Sequence, residues 1–475
     1  MSRTRIVGTI GPRSLSADAM LALRDAGMNV ARLNGSHSDL DWHRAAITQL
    51  RETLPETPIL LDIPGRKIRT IQLVHEPTFA QGDELVLTTS PDFDGNEKVP
   101  VNYPELHTAL EAGHTILADD GTLKFTVLRV DGRDIVCRAE TAGQLRSAKG
   151  INVPFVELNM PEVTPRDENM IAFAKETGVD FIGLSFVESA GHVVAFRDLI
   201  GASTPRIVAK VENQGGMDHV DEIAEVADAI MVDRGDLSVE TSLHDVALRQ
   251  KSIIKAAAKH GRPVIIATEM LHTMIENSFP TKAEVSDITN AVLDGCAATM
   301  LSGETAIGAF PEAAVRLMRD VSDASEAYVQ NGLNAAALDL GNTVPEVMGQ
   351  VINVLCRALP VTKIVAITRS GFAARMIAVH QPHQPIIAVS DDAAAARSFN
   401  LIAGTTGVHS ENSFPRSSID HIGQILEMLW RRNMLNDADF VLTTGVTYPY
   451  PGNRMNSLQL NKVSELVASL GWGRD

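Results

Sequence analysis

Two strand ends in this chain carry residue types that could do chemistry. In RIVAKVEN, residues 206–213, an apolar run through Ile207, Val208 and Ala209 ends in Lys210, with Glu212 two positions on. Side chains alternate faces along a strand, so the ammonium and the carboxylate point the same way. A cation and hard oxygen ligands at the end of a buried strand suit an anionic ligand and a divalent metal. The next apolar run, AIMVDRGDL at 229–237, also ends in charge, and Asp236 there follows Gly235, as backbone does where it must approach something small. A structural ion pair accounts for either end alone. Two in succession, followed by PVIIATEM and ATMLSGET, favour a site.

These residues need a frame that sets several strand ends side by side. Apolar runs at 5–10, 29–33, 59–62, 181–186, 207–211, 230–233, 264–267 and 299–302 read as strands. Helical periodicity fits 17–26, 42–52, 165–176, 189–199, 217–226, 243–260 and 282–293 between them. The alternation predicts a (β/α)8 TIM barrel, whose active site lies at the carboxyl ends of the strands. Those ends carry Gly11 with Pro12, Arg32 with Asn34, Asp62, Ser185, Lys210 with Glu212, Arg234 with Asp236, Thr268 with Glu269, and Ser302 with Glu304. Packing alone does not explain so many polar groups on one face.

From about 70 to 154 the pattern changes to short β-like runs with turns, holding one short helical stretch at 104–112. This predicts a small β-barrel lid domain inserted after the third strand, over the barrel mouth. From about 342 a C-terminal α/β open-sheet domain follows, with strands at 364–367, 386–389 and 440–443 and helices at 345–359, 373–379, 393–399 and 420–431. The expected division is 1–69 with 155–338 for the barrel, 70–154 for the lid and 339–475 for the last domain. Beyond a strand end there, Thr368, Arg369, Ser370 and Gly371 precede a helix, an arrangement that serves equally as a phosphate cradle or an ordinary turn.

The chain's 475 residues suffice for two or three domains, and 44% hydrophobic residues for packed cores. A net charge of −17 argues against nucleic acid or an anionic membrane as partner, though not against a local phosphate pocket. Cys137, Cys296 and Cys356 are scattered, with no metal or disulfide spacing, which points to a reducing compartment. No signal-like segment or membrane-length apolar run is present, so the expected location is cytoplasmic.

The segments RIVGTIGP, GMNVARLNGSH, LLDIPGRKIRT, AKVEN, RGDL, PVIIATEML, PTKAEVSDITNAVLDG and MLSGETAIGAFPEAAV resemble those of the pyruvate kinase family, in the family's order. ADDG at 118–121 and SAKGINVP at 147–154 fit its lid. The resemblance implies transfer of a phosphoryl group from phosphoenolpyruvate to ADP, giving ATP and pyruvate in glycolysis. It implies Glu212 and Asp236 as ligands of Mg2+ or Mn2+, and Lys210 and Arg32 flanking the transferred group. Backbone N–H groups near Gly235 and Asp236 would hold the substrate carboxylate, and Thr268 would act in the proton relay. His37, Arg69 and Lys149 are implied at the nucleotide phosphates, Thr368 to Gly371 at a phosphorylated effector, and a homotetramer as the assembly.

The departures from the family are as specific as the matches. A monovalent cation is often held by an Asn and a Ser, here Asn34 and Ser36, and by an Asp-Thr pair, here Asp62 and Ile63. The usual Lys-Gly-Pro-Glu reads Pro64-Gly65-Arg66-Lys67. Lys67 thus puts an ammonium where potassium would supply charge, and the expectation is that K+ is not required. Asp233 stands where alanine is common, Glu188 where arginine is, and Phe372 and the 448–454 loop depart from the usual effector site. Two other functions stay open: another magnesium-dependent barrel enzyme acting on an enolate, or a catalytically weak paralogue serving as a ligand sensor. Retention of Lys210 and Lys149 disfavours the first, and retention of Arg32, Lys210, Glu212, Asp236 and Thr268 disfavours the second.

Overall fold

The computed structural model describes residues 2–119, 121–156, 158, 160–332, 343–414, 420–445 and 455–473. Eight parallel strands close a barrel in chain order: Arg5–Thr9, Val30–Asn34, Ile59–Ile63, Phe181–Leu184, Arg206–Val211, Ala229–Asp233, Val264–Ala267 and Ala298–Leu301. Each pairs with the next and the last with the first. Strand parity sorts the core into two shells. Ile6, Ala31, Leu61, Ile182, Ala209, Ile230 and Ile266 face the helices. Val7, Val30, Leu60, Phe181, Val208, Met231, Ile265 and Met300 fill the barrel interior. Two positions further along the inward face of these strands come Thr9, Arg32, Asp62 and Lys210, so the alternation that buries Val208 delivers Lys210 to the mouth.

The expected strands match to within two residues, and helices Ala17–Ala26 and Lys282–Leu293 match fully. The latter starts at a capping box, with the Thr281 and Glu284 side chains each bonded to the other's backbone N–H. Three helical segments differ. The 217–226 reading divides into Gln214–Asp218 and Val220–Val226. The 243–260 reading opens as a 3-10 turn, Leu243–Asp245, before Val246–Lys259. A long eighth helix, Pro311–Gly332, was not among those expected.

The insertion after the third strand holds a mixed six-stranded sheet and a two-stranded ribbon around its own core of Leu87, Phe125, Ile135 and Leu145. Its helical stretch is a single turn, Leu106–Ala109. The two connections to the barrel pair with each other, Ile151 N–H donating to Ile68 O at 2.8 Å and Thr70 N–H to Lys149 O at 2.9 Å. The insertion meets the barrel mouth where Asn152 Nδ2 donates to Glu240 Oε1 at 2.6 Å.

The C-terminal sheet has five strands where three were expected. Lys363–Ile367 and Ile386–Ser390 are flanked by Thr405–His409 on one side, and by Phe440–Gly445 and the antiparallel Ser457–Lys462 on the other. A helix, Val463–Leu470, follows. The 448–454 loop lies outside the described residues.

This unit is fastened to the barrel floor by buried charge, which leaves the mouth to the insertion. Arg206 donates to Ser370 O at 3.0 Å and stacks over the Phe399 ring. Arg5 donates to Ile402 O at 3.2 Å. Asp180, with no solvent exposure of its side chain, joins Arg51 at 2.6 Å to Arg397 at 3.0 Å and also accepts from Ile59 N–H. Replacing Asp180 leaves two arginines without their anion in a largely dry interface. Asp180→Ala is expected to cost about 3 kcal/mol of unfolding free energy. A chemical-denaturation midpoint equal to that of the unaltered protein would show that the contact fastens nothing.

Candidate active site

Five charged side chains converge at the barrel mouth. Arg32 grips Asp62 Oδ2 through Nη2 at 2.6 Å and Nε at 3.1 Å, and its Nη1 donates to Thr9 Oγ1 at 3.1 Å. Lys210 Nζ lies 2.6 Å from Glu212 Oε1, 3.1 Å from Asp233 Oδ2 and 3.5 Å from Asp62 Oδ2. It also donates to Ser185 Oγ at 3.3 Å, and that hydroxyl donates to Ile63 O. Glu212 is wholly buried; its Oε2 accepts from Phe186 N–H at 2.9 Å. The strand alternation that puts Lys210 beside Glu212 therefore holds in space.

Low solvent access shifts these groups in opposite directions. Burial alone would lower the Lys210 ammonium, but Asp62, Glu212 and Asp233 outweigh it and hold it well above its ordinary value. Burial pushes Glu212 up to about 8 against the pull of Lys210, and Asp233 and Asp236 add to the rise. Burial also raises Asp236, although Lys67 opposes it. For Asp233 burial works upward too, yet Lys210, then Arg32 and Lys67, hold it below the usual carboxylate range. Burial and mutual repulsion that raise Glu212 and Asp236 mark a site short of positive charge.

One carboxylate oxygen from each of Glu212, Asp233 and Asp236 lies within 4.8 Å of the other two. Glu212 Oε1 is buried with no hydrogen-bond donor aligned on it, although the Lys210 nitrogen is near. Hard anionic oxygens at this spacing fit a divalent cation such as magnesium or manganese. Lys67 reaches the cluster from the connection to the insertion: its Nζ pairs with Asp236 Oδ1 and lies 6.0 Å from the centre of the Phe186 ring.

Thr268 follows the seventh strand with φ of 65°, uncommon for a β-branched residue, and Glu269 continues at 56°. Its Oγ1 accepts from Gly235 N–H at 2.9 Å and lies 3.2 Å from Asp233 Oδ1. The strained turn thus brings the hydroxyl to the start of the short helix Arg234–Glu240, beside the carboxylates.

Other mouth residues face elsewhere. Arg234 turns away to Asp287 at 2.6 Å and to Thr268 O at 2.8 Å, bracing the turn. Glu304 accepts from the N–H groups of Leu271 and Ser302 and so ties two loops together. Asn34 Oδ1 accepts from Ser36 N–H at 3.1 Å, a local turn beside Asp62. His37 is lowered by burial, then by Arg69 and Arg32. Arg69 donates to Ala148 O, and Lys149 pairs with Asp119 at 2.7 Å, so both belong to the insertion's edge. In the C-terminal unit Arg369 pairs with Asp391 at 3.1 Å and donates to Phe414 O, while Ser370 O accepts from Arg206 and Arg375.

Glu188 joins Arg66 at 3.4 Å and accepts from Asn213 Nδ2 at 2.6 Å. Arg66 also reaches Phe186 O and His192 Nδ1. Sequence reasoning missed Glu240, which no spacing marks. Burial lifts its carboxyl to about 7, partly offset by the Asn152 bond, with Asp236 adding to the rise. Between its ordinary value and about 7 the folded state holds a proton that the unfolded chain has lost, so stability falls as pH rises through that window. Glu240→Gln should keep the Asn152 contact and flatten the dependence. Thermal midpoints measured from pH 5 to pH 8 that decline alike in both proteins would refute this.

Comparison with known proteins agrees with the geometry. The profile for "Pyruvate kinase, barrel domain" matches residues 1–315 and that for "Pyruvate kinase, alpha/beta domain" matches residues 349–459. A pyruvate kinase of Bacillus licheniformis is 40% identical over 98% of this chain and 82% of its own length. One of Geobacillus stearothermophilus is 37% identical over 98% and 81%. The crystal structure of a pyruvate kinase from Cryptosporidium parvum superposes with a TM-score of 0.85 at 30% identity, covering 97% of this chain and 96% of that one. With relatives matched over nearly all of this chain, a closed barrel, an inserted β unit and a C-terminal α/β sheet, the chain belongs to the pyruvate kinase family of phosphotransferases.

Proposed function

We propose that this protein transfers the phosphoryl group of phosphoenolpyruvate to ADP, giving ATP and pyruvate as a step of glycolysis, and does so without potassium. The observation that carries the reading is Lys210 at the barrel mouth, its ammonium held charged by Asp62, Glu212 and Asp233 and beside the Arg32 guanidinium's anion. Phosphoryl transfer asks mainly for fixed positive charge around three equatorial oxygens. Lys210 and Arg32 are the buried cations placed to provide it. Arg32 and Lys210 now spend their hydrogen bonds on carboxylates, and an incoming phosphate would compete for them.

Glu212 and Asp236 would hold the divalent cation, magnesium or manganese, which when bound supplies further charge to the phosphoryl oxygens. The N–H groups of Gly235 and Asp236, in the first turn after the sixth strand, are assigned to the substrate carboxylate, which would displace the Thr268 hydroxyl from Gly235 N–H. Thr268 is assigned to the protonation of the enolate, its hydroxyl needing a partner to supply the proton. His37, Arg69 and Lys149 are assigned to the nucleotide phosphates. Arg69 and Lys149 sit on the paired connections of the insertion, which supports a lid that brings them in on closure.

The monovalent-cation region comprises Asn34, Ser36 and Asp62. Lys67 stands in for that cation, and the Lys67–Asp236 pair supports this because it already delivers an ammonium to the site. The domain division at 69/70, 154/155 and 338/339, the homotetramer and the cytoplasmic location are part of the same proposal; among the described residues no helix is long and apolar enough to cross a membrane. An effector phosphate at Thr368, Arg369, Ser370 and Gly371 rests on the family resemblance alone, since Arg369 is engaged by Asp391.

Pyruvate formation from phosphoenolpyruvate and ADP with magnesium tests the reaction. Lys210→Met should lower turnover at least about a thousandfold, the effect of losing roughly 4 kcal/mol of charge stabilisation. At constant ionic strength the unaltered enzyme should be indifferent to potassium, and Lys67→Glu should acquire a requirement for it. Turnover that rises many-fold with potassium in the unaltered enzyme would discard Lys67 as the stand-in while keeping the reaction.

A further inference from the structure

We propose that Asp233 is a third carboxylate donor to the divalent cation, and that it replaces charge that Lys67 withdraws from Asp236. The inference rests on the reading of Glu212 and Asp236 as metal ligands and adds a residue to which the family resemblance gives no role. Three observations carry it. One oxygen each of Glu212, Asp233 and Asp236 falls within 4.8 Å of the other two. Donors about 2.1 Å from a magnesium ion sit roughly 3 Å apart when adjacent and about 4.2 Å apart when opposite, so a pair at the 4.8 Å limit would close by about 0.6 Å as opposite ligands and by about 1.8 Å as adjacent ones, within the reach of side-chain rotation. Asp233 lies on the inward face of the sixth strand, in step with Ala229 and Met231, so its carboxylate is delivered by barrel parity rather than by a loop.

The third observation is the pairing of Lys67 with Asp236 Oδ1. An ammonium bonded to one of two ligand carboxylates weakens that carboxylate as a donor, because it shares the same lone pairs and offsets the same charge. A chain that carries a fixed ammonium here therefore needs anionic charge from elsewhere to hold a dication. Asp233 supplies it from the next available inward position. The groups facing it are Lys210 at 3.1 Å, the Thr268 hydroxyl at 3.2 Å, and the carboxylates of Glu212 and Asp236. A carboxylate has about four lone-pair sites, so these two bonds leave Asp233 able to ligate.

Mn2+ binding to the substrate-free protein, followed by the electron paramagnetic resonance of the unbound ion, tests this without any turnover. Asp233→Ala, the residue common at this position in relatives, should weaken binding at least about tenfold, and Asp233→Asn, which keeps the shape but not the charge, nearly as much. The same loss should persist in a Lys210→Met background. If Asp233 acted only by holding Lys210 off the metal, its removal in that background would change nothing, and the proposal would fall. It would fall equally if Asp233→Ala bound Mn2+ as the unaltered protein does. Circular dichroism confirms that each variant is folded, and Asp233→Asn serves should the alanine variant fail to fold. Loss of Mn2+ binding in a protein that makes no pyruvate would overturn the catalytic reading and leave this inference standing. Pyruvate formation with Mn2+ affinity indifferent to Asp233 would do the reverse.

Discussion

Concentrating charge where water is scarce is the constraint on which this structure depends. Arg32, Asp62, Lys210, Glu212 and Asp233 are all buried, and none tolerates isolation in such surroundings. Their mutual pairing, with hydrogen bonds from Phe186 N–H and to Thr9 and Ser185, makes ionisation tolerable. Removing one leaves another uncompensated, so the cluster is rigid in composition as well as in position. The closed barrel answers this demand because every member comes from a strand or the residue beside one. Hydrogen bonds on both flanks of each strand fix the backbone, and a packed interior of Val7, Val208 and Met231 beneath fixes the depth.

The charges do not balance. Counting Lys67, three cations, Arg32, Lys210 and Lys67, face four carboxylates, Asp62, Glu212, Asp233 and Asp236. Burial lifts Glu212 to about 8 and raises Asp236 in the same direction, and repulsion among the surplus carboxylates adds to both. A protein can settle such a surplus by protonation or by a cation. Oxygen donors converging within a few ångströms favour the second, since a dication answers several carboxylates at once and a proton answers one.

How far the sequence discloses this depends on whether local periodicity records it. Period-two alternation is local, so the Lys210 and Glu212 pair and the eight strands were legible from apolar runs. Thr405–His409, with Thr405, Thr406 and Gly407 in its first half, has no such run, and its identity as a strand comes from pairing with Ile386–Ser390. Ser457–Lys462 likewise owes its state to its antiparallel neighbour. At the mouth, position along a strand told which residues arrive but not which way each turns. Arg234 goes to Asp287 and Glu304 to the N–H groups of Leu271, distant in sequence, and of nearby Ser302, because those partners are better placed to satisfy them than the site is. Glu240 has no signature at all, since its burial is created by Asn152 from the insertion. The pyruvate kinase resemblance supplied roles that no periodicity could.

The departures from the family also make more sense in pairs than singly. The family resemblance implies arginine at 188 and an uncharged proline at 66; here Glu188 and Arg66 meet at 3.4 Å as a matched pair. Arg66 then serves the Phe186 carbonyl and the ring of His192, which burial and Arg66 together lower to about 3 and so keep neutral. A positive group beside a neutral imidazole is sustainable, whereas a second cation there would not be. Lys67 and Asp233 show the same logic one step closer to the chemistry. Electrostatics constrains the sum of charge over a few ångströms far more tightly than the position that bears it. A second change that restores the sum therefore makes the first tolerable, and the two Arg66 and Lys67 substitutions, adjacent in sequence, are answered by carboxylates on different strands' ends.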